Sequence, residues 1–197
     1  MRSPPRLSLT GVTLAVAILL AGCAQTPSGL HGSPYPSPSP APGLALLDTQ
    51  GNPFELSTLE GHAVLVYFGY TQCPDECPLT LANARWAIEQ LGERGERLDF
   101  VLVTVDPIND TPAVLRAYLD RFDTRFIGLT GSDEHLAQAR AAYGVLAATP
   151  ESDHEHTDVI HGTRVYLIDP AGMLITSYDL SVPKEDILSD VRAILKS

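Results

Sequence analysis

An α/β fold with a mixed sheet is predicted by three features of the chain. Two runs, 63–70 and 98–105, are almost unbroken stretches of apolar residues. That is the pattern of strands buried on both faces. Helical patterns follow these runs, and parallel neighbours need such crossovers. Near the C terminus, Asp169-Pro170-Ala171-Gly172 reads as a turn between two further strands, 159–168 and 173–178, which adds an antiparallel hairpin.

The elements follow in order. Residues 43–48 and 54–56 read as two short strands around the turn Asp48-Thr49-Gln50-Gly51-Asn52-Pro53, because Gly, Asn and Pro mark reversals. After the 63–70 strand, residues 79–91 carry Leu79, Ala82, Trp86 and Ile88 to Leu91 on or near one helical stripe. Asp110-Thr111-Pro112 opens a second helix, with Asp110 or Thr111 as cap. A short strand at 126–129 precedes a helix over 133–143. Ser132 caps it, and Asp133 and Glu134 suit its positive end. After the hairpin, Ser181 is the expected cap of a last helix through Leu195, with Pro183 in its first turn. A hairpin, then β-α-β-α-β-α, then a hairpin and a helix is the plan of a thioredoxin-like fold with an added N-terminal β-hairpin and a C-terminal β-hairpin plus helix.

The N-terminal third reads differently. Arg2 and Arg6 precede an apolar stretch, 7–20, that ends in Leu20-Ala21-Gly22-Cys23. A charged start, a short apolar run and small residues before a cleavage point predict a secretory signal at 1–22. The run is shorter than the ~20 residues of a spanning helix. Leu-Ala-Gly-Cys is similar to the bacterial lipobox, which implies that Cys23 carries lipid and becomes the mature first residue. Two or more acyl chains would hold the protein stably to a membrane. Residues 23–42 then read as a tether: proline at alternate positions through 34–42 removes amide donors and favours extended polyproline II. This leaves 43–197 as one working domain.

The formal charge is −11, and loss of Arg2 and Arg6 with the signal makes it −13. An acidic surface argues against a nucleic-acid partner and suits a basic partner or a cation. There are three cysteines. With Cys23 lipidated, Cys73 and Cys77 remain. Outside the cytoplasm such a pair forms a disulfide or binds metal.

Cys73-Pro74-Asp75-Glu76-Cys77-Pro78 falls where the first buried strand gives way to a helix. A residue before proline is pushed from the helical region, so Cys77 is expected as N-cap or loop residue and Pro78 as the first helical position. The helix N-terminus then favours thiolate at Cys77. Three readings stay open on spacing: a structural disulfide, a redox pair and a metal site. The usual thioredoxin-like redox motif has two intervening residues, and here there are three. His161 bears on the choice. It shares a face with Thr163, Val165 and Leu167 in the alternation of its strand, and the fold plan puts it opposite the cysteine loop. Two thiolates and one imidazole form a soft, low-coordinate set suited to copper in either oxidation state.

The cysteine motif, then Thr104-Val105-Asp106-Pro107-Ile108-Asn109-Asp110-Thr111-Pro112, then His161 with Tyr166-Leu167-Ile168-Asp169-Pro170-Ala171-Gly172, together resemble the Sco/SenC family over about 43–197. The resemblance implies a thioredoxin-like fold and copper held by Cys73, Cys77 and His161. It also implies a role in assembling the copper A centre of cytochrome c oxidase, as metallochaperone, as thiol-disulfide reductant of the oxidase subunit's cysteines, or both. Two neighbours depart from the family pattern: Ile160 stands where Asp is usual before the histidine, and Gly162 where Ser or Thr follows it. The carboxylate that orients the imidazole is then sought at Asp106, whose other reading is to cap the turn with Pro107. Asp153-His154-Glu155-His156 reads as a solvated loop or a weak feeder site. His31, His62 and His135 have no partners at ligand spacing. A peroxidase reading needs an arginine beside a thiol, and Arg85 is the nearby candidate in sequence.

Overall fold

The computed structural model describes residues 29–145 and 164–196. One eight-stranded mixed sheet organises them, in the order β1-β8-β7-β4-β5-β6-β2-β3. The strands are β1 (Ser33–Pro40), β2 (Leu46–Asp48), β3 (Pro53–Phe54), β4 (Ala63–Gly69), β5 (Leu98–Thr104), β6 (Ile127–Thr130), β7 (Val165–Ile168) and β8 (Met173–Tyr178). The helices are α1 (Glu76–Leu91), α2 (Pro112–Leu119), α3 (Asp133–Ala142) and α4 (Lys184–Ile194). The arrangement is the thioredoxin-like plan with both expected hairpins.

The centre of the sheet follows from apolar continuity. All seven residues of β4 are buried, and β5 lies parallel to it with Gly69 opposite Thr104. Helices cover both faces. On one, Leu65, Tyr67, Phe100 and Leu102 meet Leu81 and Ala84 of α1, Leu115 of α2 and Leu188 and Val191 of α4. On the other, Val64, Val66, Phe68, Val101 and Val103 meet Leu136 and Ala139 of α3, with Leu46 and Phe54 of the first hairpin. Period-two alternation in β4 and β5 thus sorts side chains into two cores. The parallel strands β4, β5 and β6 all end on one side, the side where open α/β sheets build their sites.

Two expectations are corrected. The tether 23–42 does not run free to residue 42. Ser33–Pro40 is an edge strand paired with β8, with Ser33 opposite Ser177 and Pro40 opposite Met173. Proline tolerates this place because an edge strand needs ladder hydrogen bonds on one side only, and the register is irregular between Pro34 and Ser39. Ser181 does not cap the last helix. Its amide and hydroxyl donate to Asp179 Oδ1 at 2.9 and 2.5 Å, and Pro183 holds the N-cap position of α4. By contrast, Ser132 and Thr111 cap α3 and α2 as expected, accepting from His135 and Val114.

Candidate metal centre

The site is assembled where β4 runs out. Gly69 ends the strand, and its carbonyl accepts from Val105 N at 3.0 Å. The chain then turns through residues 70–75 and enters α1 at Glu76. Cys77 is therefore the second helical residue and Pro78 the third, not N-cap and first as the pre-proline preference implied. The helix accepts Pro78 this early because its first four amides have no intrahelical acceptor. One of those amides finds a sulfur instead: Cys77 N donates to Cys73 Sγ at 3.3 Å. The helix start thus serves Cys73, not Cys77.

The two thiols have different surroundings. Cys73 is 7% exposed and Cys77 is 0% exposed. No disulfide joins them. Burial pushes the Cys77 thiol up to about 12, against a backbone hydrogen bond from Tyr70 that pulls the other way. The expected thiolate at Cys77 is corrected accordingly: desolvation outweighs the helix-end field when a group is wholly enclosed. The Tyr67 hydroxyl lies 3.6 Å from Cys77 Sγ, and its own pKa is raised by the same burial. Gly69 makes room for this sulfur and for the Tyr67 ring: a Cβ there would stand 2.7 Å from Tyr67 Cε1 and 2.9 Å from Cys77 Sγ.

A buried carboxylate fixes the loop. Asp110 is 0% exposed. It accepts from the Thr71 hydroxyl at 2.5 Å, from the Thr71 amide at 3.2 Å and from the Thr104 hydroxyl at 2.6 Å. Desolvation raises its pKa. From sequence, Asp110 is a possible cap and a member of the Thr104 to Pro112 motif, with no buried role. Its place between two threonines gives no sequence signal, because the partners lie 6 and 39 residues away. Tyr67 and Gly69 carry no sequence signal beyond their place in an apolar strand.

Asp106 caps a turn: Oδ2 accepts from Asn109 Nδ2 at 2.8 Å and Oδ1 from Asn109 N at 3.4 Å. Arg85 is paired with Glu89 at 2.8 Å, with both side chains about half exposed. His62 is paired with Asp99 at 2.7 Å and His31 with Asp190 at 2.7 Å, so each has a partner that sequence spacing did not reveal. Cys23, Asp153, His154, Glu155, His156 and His161 lie outside the described residues. Among the described residues no group of three or more His, Cys, Asp or Glu is placed to hold a metal ion. The described part contributes two soft sulfur donors within one loop-to-helix turn, and these fit a soft ion.

A family model described as SCO1/SenC matches residues 41–196. A putative copper-binding protein of Stutzerimonas stutzeri is 41% identical over 137 residues, 68% of this chain and 66% of that protein. The crystal structure of yeast Sco1 with copper bound is similar at a TM-score of 0.73 and 30% identity, covering 81% of this chain and 90% of that one. A SCO1/SenC family lipoprotein from Bacillus anthracis gives a TM-score of 0.69 at 30% identity, over 81% of this chain and 98% of that one.

Proposed function

This chain belongs to the SCO1/SenC family, and on that premise we propose that it is a copper chaperone of the cell envelope. In this reading lipid on Cys23 holds it to a membrane. Cys73, Cys77 and His161 bind one copper ion, and the ion is delivered to the copper A site of a cytochrome c oxidase subunit. The observation that carries the reading is the meeting of two buried sulfurs at the end of β4, with Cys77 N bonded to Cys73 Sγ at 3.3 Å. The relatives named above support copper as the cargo, and the lipoprotein relative supports the anchor.

His161 is the third ligand in this proposal. It stands four residues before Val165, which pairs with Tyr67, the residue whose hydroxyl touches Cys77. Residue 161 also has the sequence parity of Val165 and Leu167, and those two share the core face that holds Cys73 and Cys77. Copper uptake at neutral pH releases the Cys77 proton, since the buried thiol is protonated until copper replaces that proton.

The test is an anaerobic Cu(I) titration of reduced protein against a competing chelator. His161→Ala should weaken binding by more than the roughly 10- to 100-fold that loss of an outer partner costs. Binding as tight as that of the unmodified protein would end the three-ligand reading. Copper-independent reduction of a disulfide substrate that survives His161→Ala would point to an oxidoreductase instead.

A further inference from the structure

The strand β1 enters the sheet at the end that carries the thiols. Ser33 pairs with Ser177, next to Tyr178; Tyr178 pairs with Val165, and Val165 with Tyr67. Tyr67 is two residues from the end of β4. Three strand spacings separate β1 from β4, about 15 Å.

The chain is fastened as soon as it arrives. Leu30 packs on the core beside α4. The His31 amide and Nδ1 contact the two carboxylate oxygens of Asp190 at 2.9 and 2.7 Å. Asp190 is 2% exposed and also accepts from the Tyr178 hydroxyl at 2.9 Å. Gly32 lies flat on β8: a Cβ there would come within 2.7 Å of Ser177 O.

Seven peptide steps separate Cys23 from Leu30, at most about 25 Å of extended chain. The sheet itself, seven residues along β4, is about 23 Å tall. To present its far end to the membrane, the domain would have to spend the whole leash running down its own side. Presenting the thiol end leaves the leash slack. An independent feature agrees. Among the described residues, the exposed large apolar ones are Leu47, Leu79, Ile108, Val114 and Leu180. Leu79 and Val114 lie in the first turns of α1 and α2, Ile108 and Leu180 follow β5 and β8, and Leu47 pairs with Thr130 at the end of β6. All five lie at the thiol end.

We infer that the short leash keeps the far end of the sheet off the bilayer and turns the thiol end toward it, so that the acceptor it serves presents its thiols within about 25 Å of the lipid. This rests on the proposed lipid at Cys23. The occupant of this face is the bilayer surface. The mature charge of −13 argues against attraction to anionic headgroups as the cause.

The test uses the mature lipidated chain on zwitterionic vesicles containing acceptor lipids, with a fluorescent amino acid at Ile108 or at Glu60, which precedes β4 at the other end. Energy transfer at 108 should exceed that at 60 by about two-fold or more, given the height of the sheet. About twenty Gly/Ser residues inserted between Ser28 and Gly29 should abolish the difference. Equal transfer, or more from 60, overturns the orientation, and a difference that survives the insertion overturns the leash as its cause. Failure of the anchor itself shows separately, as a chain that does not float with the vesicles.

Discussion

Gly69 occupies a position where an added methyl group would meet the Cys77 thiol and the Tyr67 ring. Its absent Cβ lets the Cys77 sulfur lie against the backbone at the end of β4. Gly69→Ala should overpack this corner and destabilise the reduced protein by about 1–3 kcal/mol, read as a lower denaturant midpoint with unchanged slope; an unchanged midpoint would show that the corner yields freely. The position was legible only as the last apolar residue before the cysteines. A glycine at a strand end has many causes, and the sulfur that needs this one is eight residues away. Cys73 and Cys77 themselves were legible, because a thiol pair at a strand-to-helix switch is uncommon by chance. Their chemical difference was not, since it depends on which sulfur lies under the sheet.

At the scale of elements, β1 is held by its clamp as much as by its ladder. The His31 pKa is raised, first by the hydrogen bond to Asp190; desolvation opposes it, and the charges of Asp190 and Asp186 add to it. The groups facing it are Asp186 and Asp190 from α4, and Tyr178 from β8 behind Asp190. A raised folded pKa means that this stabilisation is complete below the unfolded value of 6.5 and is lost as pH rises through the folded value. Hydrogen-exchange protection at Tyr35, Ser37 and Ser39, corrected for intrinsic rates, should therefore fall as pH rises above 6.5. His31→Gln should remove that dependence; a dependence that persists would place the titrating group elsewhere. The extended conformation of this segment was legible from its prolines, but its pairing was not. Composition reports which amides are missing, and it says nothing of the distant edge of β8 on which the segment lies. The start of α1 was displaced for a related reason: a pre-proline preference of the backbone gave way to the cysteine amide, which found a sulfur acceptor.

For the molecule as a whole, two apolar runs and three crossovers were sufficient to specify a covered mixed sheet, because burial on both faces leaves few alternatives. The docking of β2 on β6 was beyond the sequence, since it joins segments about eighty residues apart with no shared pattern. Copper is expected to act on this whole unit. A ligand that binds only the folded state at a thousand-fold excess over Kd adds about 4 kcal/mol. The reduced protein should therefore melt higher with Cu(I), and Cys73→Ser/Cys77→Ser should not. A double variant that responds equally would place the ion elsewhere. The unequal cover of the two sulfurs then sets an order of events. A donor arriving from outside touches Cys73 first, because Cys77 is sealed. In the proposed copper site, handover is then expected to be sequential: the outer bond is traded early, and the inner one is the final hold to be given up.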